Sequence, residues 1–237
     1  MKLTIEAGIT KIPDFAFLGC RTVKEFLIPN GIKEVGDCAF CNCAEITNMD
    51  IPDGVESIGL SAFEKCGALK SVNMTDSVTS IGGSCFESCA MLGGIKLSKN
   101  LKEIPFFAFG SCRSIIDMII PANVVKIGRG AFCDCIRLKK VKIMMKYGVI
   151  ESFAFKGCEK LEKVEIEEGI TEIHAFAFKK NYALEEIVLP STITYINYHA
   201  FDECTNLKRI IIKGKKRKIN DEDKLYSCNA EIIFEEE

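Results

Sequence analysis

Tryptophan is absent from the sequence, proline occurs six times, and there are only two histidines, His174 and His199. Both are expected at variable positions facing solvent rather than as a catalytic pair. No apolar run approaches the ~20 residues of a membrane-spanning helix. No strong charge of one sign is present either. The formal net charge is −2, from 31 basic and 33 acidic residues, so there is no global attraction to nucleic acid or anionic lipid. The start, MKLTIEAGIT, has one lysine but no 7–15-residue apolar stretch of the kind that marks a secretory signal. No low-complexity linker divides the 237 residues, and one domain is the simplest organisation.

What is present is a repeat. Phe17, Phe40, Phe63, Phe86, Phe109, Phe132, Phe155, Phe178 and Phe201 follow one another at a step of 23 without a slip. Alanine precedes each except Phe86, which follows Cys85. Apolar columns keep the same step, such as Ile58, Ile81 and Ile104 five residues before the Phe, and Leu69, Leu92 and Ile115 six after. Two more apolar columns lie nine and eleven after it, as in Val72 and Met74, and alternate with polar residues. That alternation predicts one short, half-buried strand per repeat. A single coil cannot bury its apolar side, but stacked coils can, with equivalent residues above one another at the ~4.8 Å strand spacing. Phe then fills the opposite wall, and Phe109→Ala is expected to cost ~3–5 kcal/mol, read by a thermal melt.

The text LKSVNMTDSVTSIGGSCFESC and LEEIVLPSTITYINYHAFDEC resembles the BspA-like leucine-rich-repeat family of bacterial and protist surface proteins, over roughly residues 2 to 212. The expected fold class is an α/β-type repeat solenoid, a right-handed leucine-rich-repeat superhelix. A parallel β-sheet forms one face, and mostly irregular coil with short helical turns forms the other. Nine repeats are expected over residues 1–212 and a C-terminal cap over 213–237, in which Leu225, Tyr226, Ile232 and Phe234 cover the last coil. Residues 1 to 9 enter in mid-repeat, with Leu3 and Ile5 in the strand columns and no polar cap before them. Solenoid ends usually need one, so self-association through this edge, a longer parent chain and a tolerated bare end all stay open.

Thirteen cysteines ask for a role. Eight of them, Cys20, Cys43, Cys66, Cys89, Cys112, Cys135, Cys158 and Cys204, stand three after the column Phe, with Asn181 as the one exception. A small polar side chain there is expected to meet backbone groups that the turning coil leaves unpaired. Cys85 replaces a core Ala. Cys38 and Cys41 have the spacing of half a zinc site, but no second C-x-x-C exists and neither histidine is near in repeat order. Ordinary thiols are expected, with a Cys38–Cys41 disulfide as the lesser alternative; this fits a reducing setting better than an oxidising one.

No nucleophile with a base stands out, and no GxGxxG, phosphate-loop or HExxH text occurs. The expectation is a non-enzymatic protein-binding module without cofactor or metal. The exposed strand positions are eight and ten after each Phe. In mid-stack they place Ile119 beside Lys140, Lys142 and Lys163, a basic patch with an apolar neighbour suited to an acidic protein surface. The alternative is a merely solvated face. KGKKRK, at 213–218, has the look of a nuclear or nucleic-acid signal, but the nearby DED and EEE argue for a solubilising cap, and no nucleic-acid partner is expected. The resemblance implies a cell-surface or secreted protein that engages host matrix, cells or host proteins. An intracellular scaffold is the runner-up, and a thiol- or metal-linked role the third reading.

Overall fold

The computed structural model describes residues 2–3, 8–219 and 228–236. Ile5, Leu225, Tyr226 and the DED triplet lie outside the described residues. The chain winds into about nine coils, one to each repeat, and strands pair in parallel with their equivalents in neighbouring coils, with breaks in the ladder after Glu25–Phe26, after Gly94–Lys96 and after Lys163–Ile166. The main sheet face carries Asn48–Asp50, Ser71–Asn73 and Gly94–Lys96, then Asp117–Ile120, Lys140–Ile143 and Lys163–Ile166, then Glu186–Leu189 and Arg209–Lys213. The backbone of Lys2–Leu3 pairs with Glu25–Phe26 at the start of this face. Glu231–Glu235 closes it by pairing with Arg209–Lys213, with Arg209 opposite Glu231, so the closing step is slightly shorter than the repeat. Ile232 and Phe234 pack against the core.

A second ladder of shorter strands follows the apolar column five before the Phe. It runs from Lys11–Ile12 to Ser80–Ile81 and again from Lys126–Ile127 to Tyr195–Ile196, the second stretch being extended by a bridge from Ile104 to Ile127. Ile219, one full repeat beyond Ile196, extends this column by accepting the Ile196 N–H at 2.8 Å, so the repeat runs further than its side-chain text suggests.

The third wall departs from expectation. Among the described residues it contains no helix, and the short helical turns read from the sequence do not form. The reason is an alternation of backbone hand. All nine residues two after the column Phe, and eight of the nine two before it, have φ between 50° and 71°. A left-handed residue at every such position stops helix propagation. Hydrogen bonding alternates with it. In the third coil the N–H groups of Ser61, Phe63 and Lys65 donate to Gly83, Cys85 and Glu87 of the next coil at 2.8–2.9 Å. Ala62, Glu64 and Cys66 donate instead three residues back, closing consecutive turns. The wall is therefore a parallel ladder made of turns, and its between-coil bonds offset the cost of the left-handed residues.

The core is built by stacking like on like. The nine column phenylalanines form one continuous stack with successive ring centroids 5.1–5.4 Å apart, and all but Phe17 are fully buried. The rings are nearly parallel and therefore offset, since the coil rise exceeds the contact distance of flat rings. Close approach of backbones sets the glycine positions. A Cβ on Gly82 would lie 2.3 Å from the Leu60 nitrogen, and one on Gly59 2.6 Å from the Asp37 nitrogen. By Gly128 the nearest atom has receded to 2.9 Å, and Glu151, His174 and Asn197 hold the same column beyond it.

The thiol column has a defined partner. Cys43 Sγ donates to the Phe17 carbonyl at 3.0 Å, and Cys66, Cys89, Cys112, Cys135, Cys158 and Cys204 repeat the bond at 2.9–3.2 Å, each reaching one coil back. Burial pushes the Cys43 thiol up to about 11 and the Cys204 thiol up to about 12, which keeps them protonated as donors at neutral pH. Asn181 does not fulfil the role expected of it: its side chain is fully buried, and neither amide atom has a hydrogen-bond partner.

A candidate protein-binding face

Alternation along each strand turns the positions eight and ten after the Phe outward. The observed register then stacks them in two straight rows. Asp117 faces Lys140, which faces Lys163; Ile119 faces Lys142, which faces Glu165. The four residues singled out in the sequence are therefore neighbours, around a shallow depression of about 190 Å³ that Asp117 and Glu165 also line. Ile119 is 61% exposed although it is anchored between the buried Met118 and Ile120. An aliphatic side chain this exposed on a backbone this constrained costs little further ordering on contact.

The electrostatics are less one-sided than the sequence suggests. Lys163 pairs with Glu165 at 2.5 Å, Lys142 with Glu167 at 3.2 Å, and Lys139 with Glu162 at 3.8 Å. The hydrogen bond from Lys163, then the charges of Lys163, Lys142 and Lys140, hold the Glu165 carboxyl below its ordinary value. Lys140 has no ion-pair partner among the described residues and lies between Asp117 and Lys163. The patch is thus a mixed-charge field, in which Lys140 acts on Glu165 through its charge without a close ion pair of its own among the described residues, rather than a purely basic one.

A second apolar stretch follows in the row of Ile119. Val188 faces Ile211, and Ile211 faces Ile233, all half-buried on the outward side of the sheet. Glu186 and Arg209 pair beside it in the other row. The sequence shows Val188 and Ile211 in this row, but Ile233 joins it through the shortened closing step. At the opposite end Leu27 is 59% exposed.

The remaining sequence candidates sit elsewhere. His174 Nε2 lies 2.9 Å from Glu172, and His199 Nδ1 lies 3.0 Å from Asp202. Both imidazoles are half-buried, and His199 stacks on Phe176. No group of three or more His, Cys, Asp or Glu could hold a metal ion among the described residues. Within KGKKRK, the Arg217 guanidinium donates to the carbonyls of Ser191, Ile193, Lys213 and Lys215 at 2.7–3.4 Å, tying the chain to the previous coil. Among the described residues no helix is long and apolar enough to cross a membrane.

Comparison with known proteins supports this architecture. No curated protein matches the chain. Among solved structures, a leucine-rich-repeat protein of T. pallidum, TpLRR, is similar at 25% identity, with 77% of this chain and 76% of that one covered and a TM-score of 0.54. The pneumococcal vaccine antigen PcpA aligns at 18% identity over 97% of this chain and 66% of its own, with a TM-score of 0.52, a likeness of fold alone. A leucine-rich cell surface protein of Faecalibacterium prausnitzii aligns at 22% identity over 98% of this chain and 85% of that one, with a TM-score of 0.49. The model of the BspA-type leucine-rich-repeat region matches residues 1–116 and 102–231, and the chain belongs to that family.

Proposed function

We propose that this chain is a non-enzymatic protein-binding module acting at a cell surface or after secretion, with the exposed sheet as its contact face and a host matrix or cell-surface protein as its partner. The observation that carries the reading is the placement of Ile119. It is an exposed apolar side chain fixed on a parallel sheet, opposite Lys142 and sharing one depression with Lys140, which makes no close ion pair among the described residues. Interface centres favour such an arrangement of a rigid apolar contact with charges around it. The surface setting rests on the family resemblance.

A second reading, an intracellular scaffold for the organism's own proteins, draws on one observation. All thirteen cysteines are free thiols, as a reducing compartment keeps them. Paired capture separates the two. The protein is presented to purified extracellular-matrix proteins and to a cytosolic lysate. Saturable capture of a matrix protein is the expected result. Capture from the lysate alone would move the protein inside the cell, and capture of neither would remove the binding function from this part of the chain.

A further inference from the structure

Cys38 and Cys41 are unlike the other thiols of the chain. They flank Ala39 and Phe40, which are fully buried, so the turn that drives those two inward leaves the two cysteines at its rim. Both are half-buried, whereas the column thiols from Cys43 to Cys204 are enclosed and committed to backbone carbonyls. The Cys41 N–H donates to the Cys38 carbonyl at 3.1 Å, closing a four-residue turn. A turn closed in this way brings its end Cα atoms within ~7 Å, which reaches the ~4.4–6.8 Å span of a disulfide. Cys38 adopts φ 51°, and the left-handed geometry recurs at the equivalent position of other coils, so the turn is held by the wall on both sides. The two thiols also act on each other directly, each affecting the other's proton affinity.

No other coil carries this pair. The positions equivalent to Cys38 and Cys41 are Ser61 and Glu64 in the next coil, and Gly130 and Cys133 four coils on. No third ligand stands with them, which separates the pair from a metal site among the described residues. Burial first, and then the charge of Glu64, disfavours both thiolates. The thiolate is the nucleophile, so this environment slows the first attack, and the neighbouring thiol acts after it by displacing whatever that attack has attached.

We propose that Cys38 and Cys41 form a dithiol site that closes to an intra-turn disulfide by exchange with a low-molecular-weight disulfide such as oxidised glutathione. One cysteine thiolate attacks a glutathione sulfur. A protein–glutathione S–S bond forms, the glutathione S–S bond breaks, and one glutathione thiolate leaves. The second cysteine gives its proton to solvent and attacks the first cysteine's sulfur, expelling the second glutathione thiolate. The protein pair loses two electrons, and one glutathione disulfide is reduced to two thiols. The site is independent of the sheet face.

The test is peptide mapping of the full native chain after exposure to oxidised glutathione and rapid trapping of residual thiols. The expected product is a Cys38–Cys41 disulfide, formed while the column thiols stay reduced. In Cys41→Ser the second step is removed, and a glutathione adduct persists on Cys38. Two results would overturn the proposal: Cys38 and Cys41 both remaining reduced while half-buried Cys20 or Cys228 takes glutathione, or stable glutathione adducts on wild-type Cys38 or Cys41 without closure. The wild-type map decides by itself if the variant does not fold.

Discussion

The Cys112 thiol donates to the Phe86 carbonyl 3.0 Å away, across the boundary between one coil and the next. The same carbonyl also accepts the Cys89 N–H within its own coil at 3.2 Å. Phe and Cys are therefore two halves of one device. The ring fills the centre, and the thiol ties the coil that follows to the backbone that carries the ring.

Asn181 breaks that device, and its replacement should improve the protein. The amide is fully buried with both polar atoms unpartnered, a condition that costs about 1–3 kcal/mol. Asn181→Cys places a thiol where its column-mates reach the Phe carbonyl of the preceding coil, here that of Phe155. The expected outcome is a gain of ~1–3 kcal/mol, seen as a higher denaturant midpoint with an unchanged slope. A lower midpoint would show that the amide has a stabilising role at this position.

Alkaline pH should unfold the chain through its thiols. Burial raises the Cys43 thiol from 9.0 to about 11 and the Cys204 thiol to about 12. Unfolding returns them to the ordinary range, so the unfolded state loses protons first as pH rises. The stabilisation is complete below about pH 9 and is lost as pH climbs toward 11–12. Each such thiol adds ~1.4 kcal/mol per pH unit to the decline. Urea midpoints measured at pH 8, 9 and 10 should fall with increasing steepness, and Cys43→Ala should flatten the curve. Equal slopes in the two proteins would separate alkaline unfolding from this thiol.

The glycine column predicts a contrast between two alanine variants. Gly82→Ala drives a methyl to 2.3 Å from the Leu60 backbone nitrogen, and neither side can yield without parting the coils. A loss of ~1–3 kcal/mol is expected from this overpacking. Gly67 has open space at its Cβ position, and Gly67→Ala should leave the melting temperature unchanged or slightly raised. A tolerated Gly82→Ala would mean that coil spacing is softer than the stack implies.

The parts that were legible in the sequence are those on which each coil repeats the same physical demand. Phe109 and Cys112 recur because every coil must fill the same centre and satisfy the same carbonyl. Asp117 and Ile119 were readable as outward because strand alternation leaves no other choice. The turn wall was opaque for a specific reason. Its left-handed positions hold Phe107, Ser61, Lys65 and Asp134 as well as glycine, so residue type gives no sign of the backbone hand that excludes a helix. The last strand, Glu231–Glu235, was hidden by its shortened step. Ion pairs such as Lys11–Glu34 and Lys33–Glu56 lie one repeat apart and could have been found by pairing charges at that spacing. The pair of Lys142 with Glu167 falls outside the repeat spacing and leaves no such trace in the sequence.

The most direct test of the binding face is a titration of captured matrix protein against three versions of this chain. One is wild type. One carries Ile119→Asp with Lys140→Glu and Lys142→Glu on the sheet. One carries Lys156→Glu with Lys179→Glu on the turn wall. Loss of a central anchor and its charged neighbours should weaken binding by ~2 kcal/mol or more, about thirtyfold, in the sheet variant alone. Unchanged affinity in the sheet variant, or a loss confined to the turn-wall variant, would contradict the account and move the contact to the other side of the solenoid.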